Sequence, residues 1–185
     1  MKNKGNAKSQ YSKQQILNAL LVIMDNKPIY KITIKEICDY ALISRKTFYR
    51  NFDTKIDVLS IEVDKIVKEY LNRLSVMDDL IVSNIALIIF NLVNENVYFF
   101  KKLVDNNMLY LVTDKLLKEI ITVYRVRKKY LFDEFGEKSI ENTLVFSFGG
   151  FTNYIERWVK NDNRITPQQI KKEFIDVSKI ISVSI

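Results

Sequence analysis

The sequence lacks histidine altogether and contains a single cysteine, Cys38. Without an imidazole, a Ser-His-Asp triad, a Cys-His nucleophile pair and a histidine-ligated zinc site are all excluded. One cysteine cannot form an intramolecular disulfide, which fits a reducing compartment. The sequence shows neither a nucleophile beside its base nor a glycine-rich phosphate loop. We therefore expect that the protein is not an enzyme and that it uses no metal and no cofactor.

Glycine and proline are also scarce, with four and two residues among 185. So few turn formers, together with 48% apolar residues, favour helices around a large core, and we predict an all-α fold of about nine helices. The longest apolar stretch, Ile81 to Val93, is interrupted by three polar residues and is too short to cross a bilayer. Residues 1–10 are polar and resemble no signal peptide. We expect a cytoplasmic protein that does not enter membranes.

Acidic residues are few in the first third of the chain. Of the net charge of +7, residues 1–60 carry most, with 11 basic and five acidic side chains, whereas residues 61–185 are nearly balanced. Such an asymmetry is typical of a protein in which one segment meets a polyanion. Residues 1–10 contain three lysines and no hydrophobic periodicity, so we predict that they form a flexible basic arm.

Helix starts are marked by four segments in which Ser or Thr precedes Glu, Gln or Asp by three positions, the pattern of a capping box. They begin at Ser12, Thr33, Thr54 and Thr166. The last is the clearest, because Pro167 follows it at the first helical position. Between the third and fourth starts, the apolar spacing predicts a long helix over about 108–135 and another over about 137–160.

Residues 33–55, TIKEICDYALISRKTFYRNFDTK, contain two short amphipathic helices separated by a turn of about three residues. This arrangement is typical of a helix-turn-helix, whose second helix fits the major groove of DNA. Phe48 and Phe52 are four residues apart, so both can point into the core. Arg45, Lys46, Thr47, Tyr49 and Arg50 then face outward and form a surface suited to phosphates and base edges.

The run from Ile43 to Phe52, ISRKTFYRNF, together with Lys55 and Leu59, resembles the DNA-binding signature of the TetR/AcrR family of transcriptional regulators. The resemblance implies a homodimer of all-helical subunits that binds a palindromic operator and is released by a small-molecule inducer, most often as a repressor. It implies a three-helix DNA-binding head over residues 11–60 and a larger ligand-binding and dimerisation body over residues 61–185. We therefore expect a repressor that is located in the cytoplasm.

Site residues follow from the same resemblance. Thr33 corresponds to a position that holds a phosphate through its hydroxyl and the helix N-terminus. Base-facing positions correspond to Arg45, Lys46 and Thr47, and phosphate-facing positions to Ser44, Tyr49, Arg50, Asn51 and Lys55. Lys46 departs from the small residue that the family often has there, so the operator sequence cannot be inferred by analogy.

The predicted body is rich in aromatic residues, with 16 of the 22 in the chain. An aromatic-rich helical body can enclose a ligand cavity or simply form a larger core, and both interpretations stay open. Arg127 lies on an otherwise apolar helical stripe, where a cation is costly unless it meets an acidic ligand or an internal carboxylate. The residues that we predict to contact a ligand are Tyr98, Tyr124, Arg127, Phe148 and Tyr154.

Residues 146–162, FSFGGFTNYIERWVKND, and the TPQQI start also resemble the last two helices of some TetR-family regulators, in the branch similar to dihydroxyacetone-kinase regulators. Two glycines inside a helix cost about 1 kcal/mol each relative to alanine. Close approach of the same helix from a second subunit would compensate, as would close packing within one subunit. The residues that we predict at a dimer interface are Gly149, Gly150, Phe151, Ile155 and Trp158.

A second hypothesis comes from a different class of protein. A helical interaction module could use its basic N-terminal segment to dock on an acidic protein partner or an anionic membrane surface. This hypothesis explains the charge asymmetry but not the turn spacing between the two short helices.

Overall fold

The computed structural model describes the backbone of residues 3–184 and the side chains of residues 9–181. In this part of the chain every regular element is a helix, which confirms the all-α prediction. The ten α-helices are α1 Asn3–Ile23, α2 Ile34–Tyr40, α3 Arg45–Asn51, α4 Lys55–Ser75, α5 Val82–Glu95, α6 Val97–Asp105, α7 Tyr110–Arg127, α8 Lys129–Phe135, α9 Glu137–Lys160 and α10 Pro167–Ser184. A short 3-10 helix, Ile29–Lys31, precedes α2.

The chain forms two compact units, and the division lies between Lys65 and Ile66, inside α4. The sequence-based division lay five residues earlier. None of the described helices is long and apolar enough to cross a membrane.

The first unit is built around three mutually packed helices, α1, α2 and α3, and the first part of α4. Its core consists of fully buried apolar side chains, among them Ile16, Leu20, Ile37, Phe48 and Leu59. Phe48 and Phe52 are both buried and their rings lie 5.9 Å apart, as their spacing predicts. The Phe48 side of α3 is therefore buried in this core, and the opposite side of the helix is exposed to solvent.

The second unit is centred on α5, which packs along α10. An aromatic cluster joins α5, α9 and α10: the ring of Phe90 lies 5.5 Å from Tyr154 and 5.6 Å from Trp158, and Phe151 stacks on Phe174 at 5.0 Å. Stacked and edge-to-face aromatic pairs stabilise a fold by more than the burial of their apolar area alone. These aromatic residues therefore form the intrasubunit core rather than an open surface.

Two predicted helix boundaries are wrong, the beginning of α1 and the end of α7. Residues 3–10 belong to α1 rather than to a flexible arm, and Ser12, expected to cap that helix, lies inside it and is buried. The Ser9 hydroxyl donates to the Asn51 side chain at 2.8 Å, and this contact ties the beginning of α1 to the end of α3. The side chains of Lys2, Lys4 and Lys8 lie outside the described residues.

The helix predicted over 108–135 is two helices, so the described chain has ten rather than about nine. The break lies at Lys128, whose backbone leaves the helical region at φ −126° and ψ 35°. No proline or glycine lies there. The preceding Arg127 side chain donates to the Leu74 carbonyl in the last turn of α4 and to the Met77 carbonyl just after it. A contact with residues some 50 positions away thus helps to fix where α7 ends.

Candidate nucleic-acid interface

The first helix of the predicted helix-turn-helix, α2, begins with a complete capping box. The Glu36 amide donates to the Thr33 hydroxyl at 3.2 Å, and the Thr33 amide donates to the Glu36 carboxylate at 2.8 Å. Hydrogen bonds from Lys27 and then from Thr33 lower the pKa of Glu36 to about 2. An ionised carboxylate therefore lies where a DNA phosphate was predicted to bind, and the Thr33 hydroxyl is already engaged. This arrangement argues against Thr33 as a phosphate ligand.

The turn between α2 and α3 is a Schellman motif, in which two backbone amides bond back into the last turn of the helix. The amide of Leu42 donates to Asp39 at 3.4 Å, and that of Ile43 donates to Cys38 at 3.0 Å. Leu42 has φ +53°, the left-handed conformation that this motif requires. Residues 41–44 thus reverse the chain in four residues and fix the angle at which α3 begins.

The second helix, α3, is capped by Ser44, whose hydroxyl accepts from the Thr47 amide at 3.1 Å. The two hydroxyl groups of Ser44 and Thr47 also lie 3.0 Å apart. Both residues were predicted to face DNA; the structure gives Ser44 a local capping role and leaves Thr47 half-buried.

The outward face of α3 carries Arg45, Lys46, Tyr49 and Arg50, all of which are exposed. These positions are spaced i, i+1, i+4 and i+5, so they lie on one side of the helix, opposite Phe48. Among the described residues, none forms an ion pair with the three cations. Tyr49 contacts the edge of Phe48, with ring centroids 5.6 Å apart, while its side chain stays 55% exposed. The face therefore presents three positive charges and one phenol hydroxyl to solvent.

Two predicted phosphate ligands have other partners in the structure. Asn51 donates from its amide nitrogen to the Thr47 carbonyl at 2.7 Å and accepts from Ser9, so both ends of its side chain are engaged. The ammonium group of Lys55 donates to the Ile32 carbonyl at 2.6 Å and to the Tyr30 carbonyl at 3.3 Å. Burial lowers the pKa of Lys55. Lys55 and Asn51 thus position α3 and α4, and the exposed cations of α3 are the better candidates for contact with DNA.

The second unit contains a small cavity of about 40 Å³ between α4, α5, α6, α7 and α9. Its lining is apolar apart from Tyr70, Thr113 and Thr152, and none of the described residues that line it is charged. Tyr70 is 2% exposed, and burial raises the pKa of its hydroxyl. Pockets for drug-sized ligands typically have roughly 300–1,000 Å³. A metabolite would therefore require the surrounding helices to move apart.

Of the residues predicted to contact a ligand, Phe148 lines this cavity. Tyr98 is half-exposed beside Lys102, and Tyr124 is half-buried, but neither lines the cavity. Tyr154 donates to Glu173 and packs against Phe90, so it connects helices within the unit. The ligand hypothesis for these three residues is not supported by their positions.

The arginine that interrupts the apolar stripe has a structural role. Arg127 donates to the Leu74 carbonyl at 2.8 Å, the Met77 carbonyl at 2.5 Å and the Asp78 carbonyl at 3.4 Å. A cation at the C-terminal end of a helix is stabilised by the helix dipole and by the free carbonyl groups there. The partners of this cation are therefore backbone carbonyls, where we had expected a carboxylate or an acidic ligand.

The predicted dimer residues fall on opposite sides of α9. Ile155 and Trp158 are buried, and the Trp158 indole donates to the Ile165 carbonyl at 2.8 Å. Phe151 and Ile155 line the cavity, so the aromatic half of the predicted interface faces the interior. Gly149 and Gly150 are exposed, and a Cβ atom added at either one would meet nothing within 4 Å. Close packing within the subunit thus does not explain the two glycines.

Sequence reasoning missed the apolar residues that share the exposed side of α9 with the glycines. Val145 is 54% and Phe146 is 75% exposed. Val145 and Phe146 each lie four residues, about one helical turn, before one of the two glycines, so all four residues lie on one side of the helix. That spacing is visible in the sequence, whereas the predicted interface included the neighbouring aromatic residues, Phe151 and Trp158, which lie on the other side of α9.

Comparison with known proteins identifies a shared fold. No protein-family model matches the sequence, and no curated protein matches it significantly. A solved structure, that of Lin0861 from Listeria innocua, is similar, with a TM-score of 0.71 over 95% of this chain and 93% of that chain. The two sequences are 16% identical. This likeness shows the fold alone.

Proposed function

We propose that this protein is a DNA-binding transcriptional regulator of the TetR/AcrR type and that α3 is its recognition helix. The observation that carries the proposal is the outward face of α3, where Arg45, Lys46 and Arg50 have no acidic partner among the described residues and Tyr49 is exposed. The sequence resemblance in residues 43–59 supports the same interpretation.

The geometry of the first unit suits insertion into a groove. A helix of seven residues, α3, follows a four-residue turn, and its inner face is anchored through Phe48 and Phe52. A recognition helix enters the major groove with its N-terminal residues toward the base edges. Arg45 and Lys46 occupy that first turn, so they are placed to read bases, while Arg50 lies farther along and is placed to meet phosphates.

We further propose that two copies associate through the exposed side of α9. Val145 and Phe146 supply apolar contact area, and the two glycines allow a second helix to approach closely, since their outer surface is open. An interface that places identical patches together has twofold symmetry, and two recognition helices related in this way bind a palindromic site. The protein then acts as a homodimer on its operator, most simply as a repressor.

Release by a small molecule is a further part of the proposal. Ile66 and Tyr70 of α4 line the cavity, and Lys55 near the start of the same helix bonds to the loop before α2. A ligand that enlarges the cavity would displace α4 and so shift the population of DNA-binding conformations.

The test begins with selection of bound fragments from a random DNA pool by the full-length protein. The affinity for the selected duplex is then compared for the wild type, an Arg45→Ala, Lys46→Ala variant and a control variant, Lys138→Ala, Lys172→Ala. The control removes the same charge from exposed lysines in the second unit. We expect a loss of at least tenfold for the first variant and little change for the second, because a good base contact contributes about 1–3 kcal/mol.

Equal affinity of both variants would refute the assignment of α3. Sedimentation with vesicles containing anionic lipid provides the alternative readout. Binding to vesicles without preference for the selected duplex over a scrambled one would favour the interaction-module hypothesis instead.

A further inference from the structure

Leu42 occupies an unusual position in the turn before α3. Its φ of +53° is left-handed, and its side chain is 92% exposed. For an L-residue with a side chain this conformation is unfavourable, and glycine or asparagine normally occupies it. The chain contains a second Schellman motif after α6, and there the corresponding residue is Asn107, with φ +55°. The two turns thus use one backbone geometry with different side chains.

Neither packing within the protein nor backbone conformation explains why residue 42 is a leucine. Its neighbours Ala41 and Ile43 are half-buried and contribute to the first unit, whereas Leu42 projects into solvent. An aliphatic side chain stabilises the fold by being removed from water, and the exposed Leu42 side chain is not. Backbone conformations held against such a preference cluster at functional sites. A contact between the Leu42 side chain and another molecule would therefore explain the leucine at this position.

The position of Leu42 indicates which molecule. It lies two residues before Ser44, the cap of α3, and three residues before Arg45. If α3 inserts its N-terminal turn into the major groove, Leu42 approaches the same groove, because it is close in the chain to Arg45 and Lys46, which have no acidic partner among the described residues. The C5-methyl group of thymine is the main apolar feature that base pairs present there. We propose that Leu42 packs against a thymine methyl group of the operator and so contributes to sequence specificity, an inference that rests on the DNA-binding function proposed above.

The test combines protein and DNA substitutions. Leu42→Gly and Leu42→Asn remove the apolar side chain but suit the left-handed backbone, whereas Leu42→Met keeps an apolar side chain. In the selected duplex, each thymine of one half-site is replaced in turn by uracil, which lacks the methyl group. We expect wild type and Leu42→Met to lose about fourfold in affinity at one thymine, the factor for one methyl group removed from water. Leu42→Gly should bind the unmodified duplex more weakly and show no further loss at that uracil.

The unfolding temperature of each variant is measured alongside its DNA affinity. Leu42→Gly should unfold at a higher temperature than the wild type, so weaker binding cannot be attributed to unfolding. Asn107→Gly, the matched turn in the second unit, should leave DNA affinity unchanged. The proposal is overturned if Leu42→Gly binds as tightly as the wild type, or if uracil substitution weakens both proteins equally. Failure of the wild type to select any sequence would instead refute the DNA-binding function itself.

Discussion

Replacement of Arg127 by methionine tests whether this residue is structural or binds a ligand. The change preserves the length and the apolar stem of the side chain but removes the guanidinium, which donates to the Leu74 carbonyl in the last turn of α4 and to the Met77 and Asp78 carbonyls just after the helix. Arg125→Met is the matched control. Arg125 is two residues away on the same helix, and its partner Glu137 is exposed, as is Arg125 itself.

The magnitude follows from the three distances. The bonds at 2.8 and 2.5 Å are well formed, whereas the one at 3.4 Å is weak. A hydrogen bond from a charged donor contributes about 1.5–3 kcal/mol, and the lower end applies to each of the two short bonds because the site is partly solvated. Loss of both should reduce the free energy of unfolding by about 3 kcal/mol. Arg125→Met should cost less than about 1 kcal/mol, since surface ion pairs contribute little.

The fluorescence of Trp158 reports on this region during urea unfolding. It is the one tryptophan of the chain and is buried in the second unit. For a chain of this size, a loss of about 3 kcal/mol corresponds to a fall of about 6–12 °C in the unfolding temperature. Equal stability of the two variants would show that the carbonyl contacts do not hold α7 against α4. If Arg127→Met left stability unchanged and abolished a response to an acidic metabolite, the ligand hypothesis would be restored.

Two further predictions concern α9 and α2. The double substitution Gly149→Ala, Gly150→Ala should raise the free energy of unfolding of the subunit by roughly 1 kcal/mol per residue, because alanine favours helices and nothing obstructs the added Cβ atoms. It should also weaken self-association in sedimentation experiments. An unchanged association constant would argue against the proposed dimer face. Because the pKa of Glu36 is lowered from 4.5 to about 2, its ionised form stabilises the fold above about pH 4.5, and that stabilisation is lost as the pH falls toward 2. Urea unfolding across this range should therefore show a smaller decline for Glu36→Gln than for the wild type, and parallel declines would contradict the role given to the capping box.

Features that depend on neighbouring residues were predictable from the sequence. The capping boxes at Thr33, Thr54 and Thr166 are present, because each is formed between residues three positions apart, whereas the same pattern at Ser12 lies inside α1. The same holds for the inward pair Phe48 and Phe52, which follows from helical periodicity. These local rules were sufficient to delimit α2, α3 and the surface that α3 presents.

Features that depend on distant residues were not predictable. The sequence places Lys55 and Asn51 at positions that resemble phosphate ligands, yet carbonyl groups and Ser9 engage them in the folded chain. The break at Lys128 likewise accompanies contacts between Arg127 and residues 74–78. No proline or glycine marks this break, and no glycine marks the left-handed turn at Leu42. In each case a three-dimensional contact or a backbone conformation overrides the pattern that local spacing suggests.

The salt dependence of DNA binding tests the central claim most directly. The logarithm of the association constant for the selected duplex is measured against the logarithm of the salt concentration, for the wild type and for Arg50→Ala, which removes the α3 cation that is proposed to meet a phosphate. Each phosphate neutralised by a bound cation contributes about 0.9 to the slope. If α3 is the recognition helix, the wild type should bind with a steep negative slope, and the variant should bind more weakly with a slope shallower by about one for each lost contact. Parallel lines of equal affinity would contradict the account.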